Sequence, residues 1–200
     1  MLDPAAMRSE LEAIRAQTDK PFNVNFFCHA PPAANDELET AWRKALSPYY
    51  EEHGIDPDAI APGPGRAPFG SAAADVLEAF EPAVVSFHFG LPSAELLARV
   101  RAWGSKVFSS ATTVEEARWL EAHGADAVIA QGLEAGGHRG VFLSEDLSTQ
   151  VGTFSLVPQV VKAVGIPVIA AGGIADANGV AAAMALGAAG DLTRELAGKL

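Results

Sequence analysis

The sequence predicts an α/β protein: an incomplete TIM (β/α)8 barrel with parallel strands and helices outside. Three observations predict it. From Ser71 onward, helix-like and strand-like segments alternate. Several of the strand-like segments, such as Ala83-Val84-Val85 and Val168-Ile169-Ala170-Ala171, are continuous apolar runs, as expected of strands buried on both faces. Polar and glycine residues also gather just after successive strands, at Phe87-His88-Phe89-Gly90, Ser109-Ser110, Gln131-Gly132 and Gly172-Gly173. That clustering fits the active face of a barrel better than the single crevice of a doubly wound sheet, and no GxGxxG follows an opening strand.

Each element has a local reason. Residues Pro4 to Gln17 read as a helix, with Pro4 in the first turn and Met7, Leu11 and Ile14 at helical spacing. Phe22 to Phe27 is rich in β-formers and is bounded by Pro21, His29, Pro31 and Pro32. Asn35 can cap a helix that carries Trp42, Leu46 and Tyr49 and stops near Gly54. Residues 56 to 69, dense in Pro and Gly, read as an ordered loop or lid. The alternation then runs through helices at Ser71–Phe80, Ser93–Trp103, Thr113–His123, Ser155–Val164 and Asp176–Leu186. Between them lie strands at Ala83–Phe87, Lys106–Ser110, Ala127–Ala130 and Pro167–Ala171, five strands in all with the first. The tail from Asp191 to Leu196 reads as a short amphipathic helix.

Composition bounds the function. The 200 residues are 49% hydrophobic, enough for one substantial core, so a single partial-barrel domain over residues 1–200 is expected. A formal charge of -11 would repel nucleic acid and anionic membrane alike, leaving small molecules as the expected partners. The one cysteine, Cys28, excludes an internal disulfide framework and a zinc site built on several thiolates; no metal is expected. Nothing near Cys28 in sequence would lower its pKa, and it reads as inert. Met1 leads into acidic, helix-like residues with no secretory pattern, so the expected location is cytoplasmic.

The sharpest feature is the run Ala130-Gln131-Gly132-Leu133-Glu134-Ala135-Gly136-Gly137-His138-Arg139-Gly140, directly after a buried strand. Glycines there let backbone N–H groups approach a planar or anionic ligand closely. The imidazole of His138 can move protons near neutral pH. Taken alone, a Gly-Gly-His loop is more readily a Gly-rich turn with a surface histidine. Glu134 reads as orienting the loop rather than transferring protons. His88, set between two phenylalanines at a strand end, can line a substrate pocket or be a buried, hydrogen-bonded residue.

Gln-Gly-x-Glu-Ala-Gly-Gly-His-x-Gly resembles the signature of the nitronate monooxygenases, formerly called 2-nitropropane dioxygenases. Other segments are similar to that family in order and spacing: Pro21-Phe22-Asn23-Val24-Asn25-Phe26-Phe27, Val85-Ser86-Phe87-His88-Phe89-Gly90, Ser109-Ser110-Ala111-Thr112-Thr113 and Ala170-Ala171-Gly172-Gly173-Ile174. The match runs from about residue 5 to 190. The resemblance implies FMN as cofactor and alkyl nitronates or nitroalkanes, with O2, as substrates. It implies that Asn25 hydrogen-bonds the flavin, that Gln131 and Gly136 contact its ring system or ribityl chain, and that Gly172 and Gly173 offer N–H groups to its phosphate. His138 is implied as the base for a neutral nitroalkane and as a positioning group for a nitronate.

Against the family pattern, two opening strands and the last, with its phosphate loop, are not seen. The sheet of about five strands is therefore expected to have two open edges, which a homo-oligomer or strand exchange could cover. Two other readings stand beside the first. An FMN-type enoyl-acyl-carrier-protein reductase shares the Glu-Ala-Gly-Gly-His loop, although so acidic a chain disfavours docking an acidic carrier. A non-catalytic remnant that binds no flavin is the third.

Overall fold

The computed structural model describes residues 2–31, 33–60 and 67–191. They form two compact units, one holding the residues up to His29 and from Pro68 onward, the other Ala30–Ala67.

The smaller unit is built on α2 (Asp36–His53). As expected, Asn35 caps it, its side chain accepting the Leu38 N–H at 2.9 Å, and Gly54 ends it with φ +62°. Arg43 ties the helix to a 3-10 turn at Pro57–Ala59, donating to the Pro57 carbonyl at 2.7 Å. The Pro- and Gly-rich stretch 56–69, expected to be an ordered loop or lid, contains this short turn, while residues 61–66 lie outside the described residues.

The larger unit carries the sheet. Its strands are β1 (Asn23–Phe27), β2 (Val84–His88), β3 (Lys106–Ala111), β4 (Ala127–Gln131), β5 (Val168–Ala171) and β6 (Gly190–Asp191). Its helices are α1 (Pro4–Gln17), α3 (Ser71–Glu78), α4 (Ala94–Ala102), α5 (Val114–Ala122), α6 (Thr153–Ala163) and α7 (Ala177–Ala185). All neighbouring strands pair in parallel, in the order β1-β2-β3-β4-β5-β6. A doubly wound sheet reverses its strand order at a switch point; this one never does. It is the run of consecutive βα units of an incomplete (β/α)8 barrel, as the sequence predicts.

Two differences have physical causes. The sheet has a sixth strand where five were expected. Gly190–Asp191 lacks β-forming side chains, and its place is marked by backbone pairing, beginning with Ala189 N–H to the Val168 carbonyl at 2.7 Å. Residues 192–196 of the expected tail helix lie outside the described residues. Helix α6 starts two residues before the expected Ser155, because its first N–H is capped from a distant loop.

Strand alternation separates two faces. Phe26, Val85, Phe87, Val107, Val128, Ala130, Val168 and Ala170 point to the helices and are buried in two clusters. One joins β1–β3 to Met7, Leu11, Leu77 and Val100; the other joins β3–β5 to Leu120, Leu156, Val157 and Val160. Complete burial of Leu77, Leu120 and Leu156 stabilises the fold by roughly 2 kcal/mol each. The opposite face carries Asn25, Ser86, His88, Ser110 and Gln131. Register sets Asn25 beside Ser86, and Phe27 beside His88.

Candidate active site

The polar face is ordered by hydrogen bonds across strands. Asn23 Nδ2 donates to Ser86 Oγ at 2.8 Å, and Ser86 Oγ donates to Asn25 Oδ1 at 2.9 Å. This relay fixes which way the exposed Asn25 amide points: its oxygen is taken, and its Nδ2 faces away as a donor.

One layer further along the strands, His88 uses both ring nitrogens. Nε2 lies 3.1 Å from the His138 carbonyl and Nδ1 lies 3.0 Å from Ser110 Oγ. A carbonyl only accepts, so Nε2 carries the proton and Nδ1 accepts from Ser110. Burial pushes the His88 pKa below its ordinary value, favouring this neutral form.

The Gly-rich loop after β4 is tied down along its length. Gln131 donates from Nε2 to the His138 carbonyl at 2.9 Å and accepts the Gly140 N–H on Oε1 at 2.7 Å. Arg139 donates to the carbonyls of Gly132 and Leu133. At the far end, buried Glu116 of α5 accepts the Phe142 and Leu143 N–H groups on Oε1, while its Oε2 takes the Thr112 N–H and hydroxyl.

Glu134 orients the loop by a specific route. Its Oε2 accepts the Thr153 N–H at 2.7 Å, supplying α6 with the cap that Gly152 lacks. Burial pushes its pKa upward, but the hydrogen bonds from Thr153 and from its own N–H, together with the nearby Arg139 charge, hold it below the ordinary value. The same contact brings the loop against Gly172. That residue has φ +126°, and a Cβ there would lie 2.6 Å from Thr153 Oγ1 and 2.8 Å from the Ala135 nitrogen. Gly173 also has positive φ, at +68°. Gly136 is different: a Cβ there would meet open space.

His138 is exposed at the crest of this loop. Its ring meets Phe27 at 5.0 Å and Phe89 at 6.1 Å between centroids. Phe89 has φ +67°, an unusual conformation for a bulky residue, directly after β2. His29 and His88 border the same two phenylalanines. No group of three or more His, Cys, Asp or Glu among the described residues is placed to hold a metal ion.

Residues 2–192 match the sequence model of the family described as Nitronate monooxygenase. The chain belongs to the nitronate monooxygenase family. It is 46% identical over 186 residues to a nitronate monooxygenase of Paraburkholderia phytofirmans, covering 90% of this chain and 50% of that protein. With a nitronate monooxygenase of Pseudomonas aeruginosa the identity is 44% over 189 residues, covering 90% of this chain and 52% of that protein. The chain thus spans about half the length of the curated relatives it matches. Among solved structures, a nitroalkane oxidase from Streptomyces ansochromogenes superposes with TM-score 0.81 at 42% identity, covering 96% of this chain and 55% of the other. FabK from Thermotoga maritima superposes less closely, with TM-score 0.64 at 32% identity over 95% of this chain and 46% of the other.

Of the residues singled out in the sequence, Gln131, His138 and His88 are joined through the His138 carbonyl. Gly172 and Gly173 pack against the stem of the same loop. Asn25 lies on the polar face, one layer below Phe27. The sequence marks Ser110 only as one of the polar residues after a strand, and assigns no role to Glu116, Arg139, Thr153 or His29. Only Glu116 left a local signal: Thr113-x-x-Glu116 is a capping-box pattern, and Thr113 Oγ1 accepts the Glu116 N–H at 3.2 Å.

Proposed function

We propose that the chain carries the FMN cradle and the proton-transfer histidine of an enzyme that oxidises alkyl nitronates with O2. The observation that carries the reading is His138, exposed on a loop whose backbone is held by His88, Gln131 and Arg139. A base so held keeps its position without needing the ligand to order it.

The residues fit a flat, anionic cofactor. Asn25 offers an oriented Nδ2 that nothing among the described residues accepts, and space beside Gly136 is open. Asn25, Gln131 and Gly136 would meet the ring system and ribityl chain. Gly172 and Gly173, turned by positive φ just before α7, would meet the phosphate. When bound, FMN supplies the electron transfer and the oxygen chemistry. The chain's own part is to bind and orient. His138 takes the acidic proton of a neutral nitroalkane on an imidazole nitrogen; with a nitronate, already deprotonated, it holds the anion in place. His88 stands in the wall of this pocket, and Phe27 and Phe89 keep water from its apolar side.

The test is the visible spectrum of the purified protein, with released flavin identified by mass. Stoichiometric FMN and turnover of ethylnitronate are expected. His138→Ala should lower kcat/KM for nitroethane by roughly 10²- to 10⁴-fold and affect ethylnitronate less. Absence of flavin after reconstitution with excess FMN overturns the reading. Reduction of an enoyl thioester by NADH, without nitronate oxidation, would favour the carrier-protein reductase instead.

A further inference from the structure

Three imidazoles border the Phe27–Phe89 pair, and their nitrogens are differently engaged. Centroid distances to Phe27 are 5.0 Å for His138, 5.5 Å for His88 and 6.3 Å for His29. Both nitrogens of His88 already have protein partners, the Ser110 hydroxyl and the His138 carbonyl. It has none to offer a ligand without letting go of the loop.

His29 is the opposite case. Its Nδ1 is buried and has no hydrogen-bond partner, while the ring as a whole is half-buried. Nε2 is therefore the nitrogen that can meet a ligand. A buried N–H without an acceptor is costlier than a buried lone pair without a donor, so the neutral ring carries its proton on Nε2. His29 thus presents an N–H donor beside the aromatic pair that His138 also touches. Its ring stands edge-on to Phe27 and Phe89, both at 78°, which fixes its plane.

We infer that His29 donates a hydrogen bond from Nε2 to a nitro oxygen of the nitronate, and that His88 is a positioning residue holding the His138 carbonyl. A nitronate spreads its negative charge over two oxygens, so one donor cannot satisfy it, and His138 and His29 flank the same apolar walls. Between such walls a hydrogen bond to an anion is stronger than in water. This inference rests on the proposed nitronate oxidation.

The experiment compares His29→Phe, His88→Phe and Ser110→Ala in the FMN-loaded protein. His29→Phe keeps a ring in place and removes the donor. It should raise KM for ethylnitronate at least about tenfold, the loss expected for a hydrogen bond to a charged group. Amide exchange at Gly140 should stay as in the wild type, and His29→Gln, which restores a donor, should recover part of the loss. His88→Phe should speed amide exchange at Gly140 and lower kcat. Ser110→Ala, which only releases His88 Nδ1, should do the same to a smaller degree with the fold intact. An unchanged KM in His29→Phe overturns the His29 assignment. Unaltered exchange in both His88→Phe and Ser110→Ala overturns the strut. A wild-type protein that binds FMN but leaves ethylnitronate untouched sinks the parent reading and the His29 assignment together, and the exchange comparison still decides His88.

Discussion

Glu116 accepts the Phe142 N–H at 2.7 Å, joining the start of α5 to the far end of the loop that bears His138. Glu116 is only 1% exposed, and its two oxygens take four donors, three backbone N–H groups and one hydroxyl. Glu116→Gln turns one of those oxygens into an amide facing N–H groups. A cost of about 3 kcal/mol is expected from the lost charged hydrogen bonds. Urea unfolding should show a lower midpoint with an unchanged slope.

Two glycines of the loop should behave oppositely. A Cβ at Gly132 would lie 2.0 Å from Thr153 Oγ1 and 2.4 Å from Thr153 Cα, so Gly132→Ala should cost more than about 3 kcal/mol or abolish folding. At Gly136 the same methyl meets open space, and stability should stay within about 0.5 kcal/mol. A weaker FMN affinity in the stable Gly136→Ala protein, read by flavin fluorescence, is expected if the cofactor packs there.

The Asn23–Ser86–Asn25 relay can be cut at its centre. Ser86→Ala leaves the Asn25 amide free to rotate, and FMN affinity should fall roughly tenfold, about 1.4 kcal/mol. A titration of the apoprotein with FMN measures it directly. No change would mean that the orientation of Asn25 is irrelevant to the cofactor.

Acidification should loosen the fold through His88. Its folded pKa lies below the ordinary 6.5 because burial favours the neutral ring. The stabilisation is therefore complete above about pH 6.5 and is lost as pH falls through the folded value. His88→Gln, which retains a donor for the His138 carbonyl, should flatten this part of the stability-against-pH curve. An equal slope in both proteins would assign the acid sensitivity to other groups.

Burial pushes the Cys28 thiol up to about 12. At pH 8 its alkylation by iodoacetamide should be about a thousandfold slower in the native protein than in urea, from thiolate fraction alone. Timed mass spectrometry of the single adduct would check this.

Much of the architecture was legible because buried parallel strands leave uninterrupted apolar runs. Val84-Val85 and Val168-Ile169 could hardly be read otherwise. β6 was not legible, since Gly190 and Asp191 carry no strand signal and pair only because β5 is there to receive them. The Gly-rich loop announced itself through its motif, but its fastening did not. Ser110, His88 and Gln131 come from three strands and meet only when the register is set. Glu116 was passed over because a glutamate in a first helical turn is usually solvated, and His29 because it stood among residues that end a strand.

The consecutive strand order also governs how the sheet assembles. Paired residues on β2 and β3, such as His88 and Ser110, are 22 positions apart, whereas Asn25 and Ser86 on β1 and β2 are 61 apart. Closing the longer connection costs about 1 kcal/mol more in chain entropy. Strands β2 to β4, whose pairings are nearer in sequence, should collapse together first, with β1 arriving late and leaving early. In native-state hydrogen exchange, the amides of Val24 and Phe26 should open before those of Val85 and Val107.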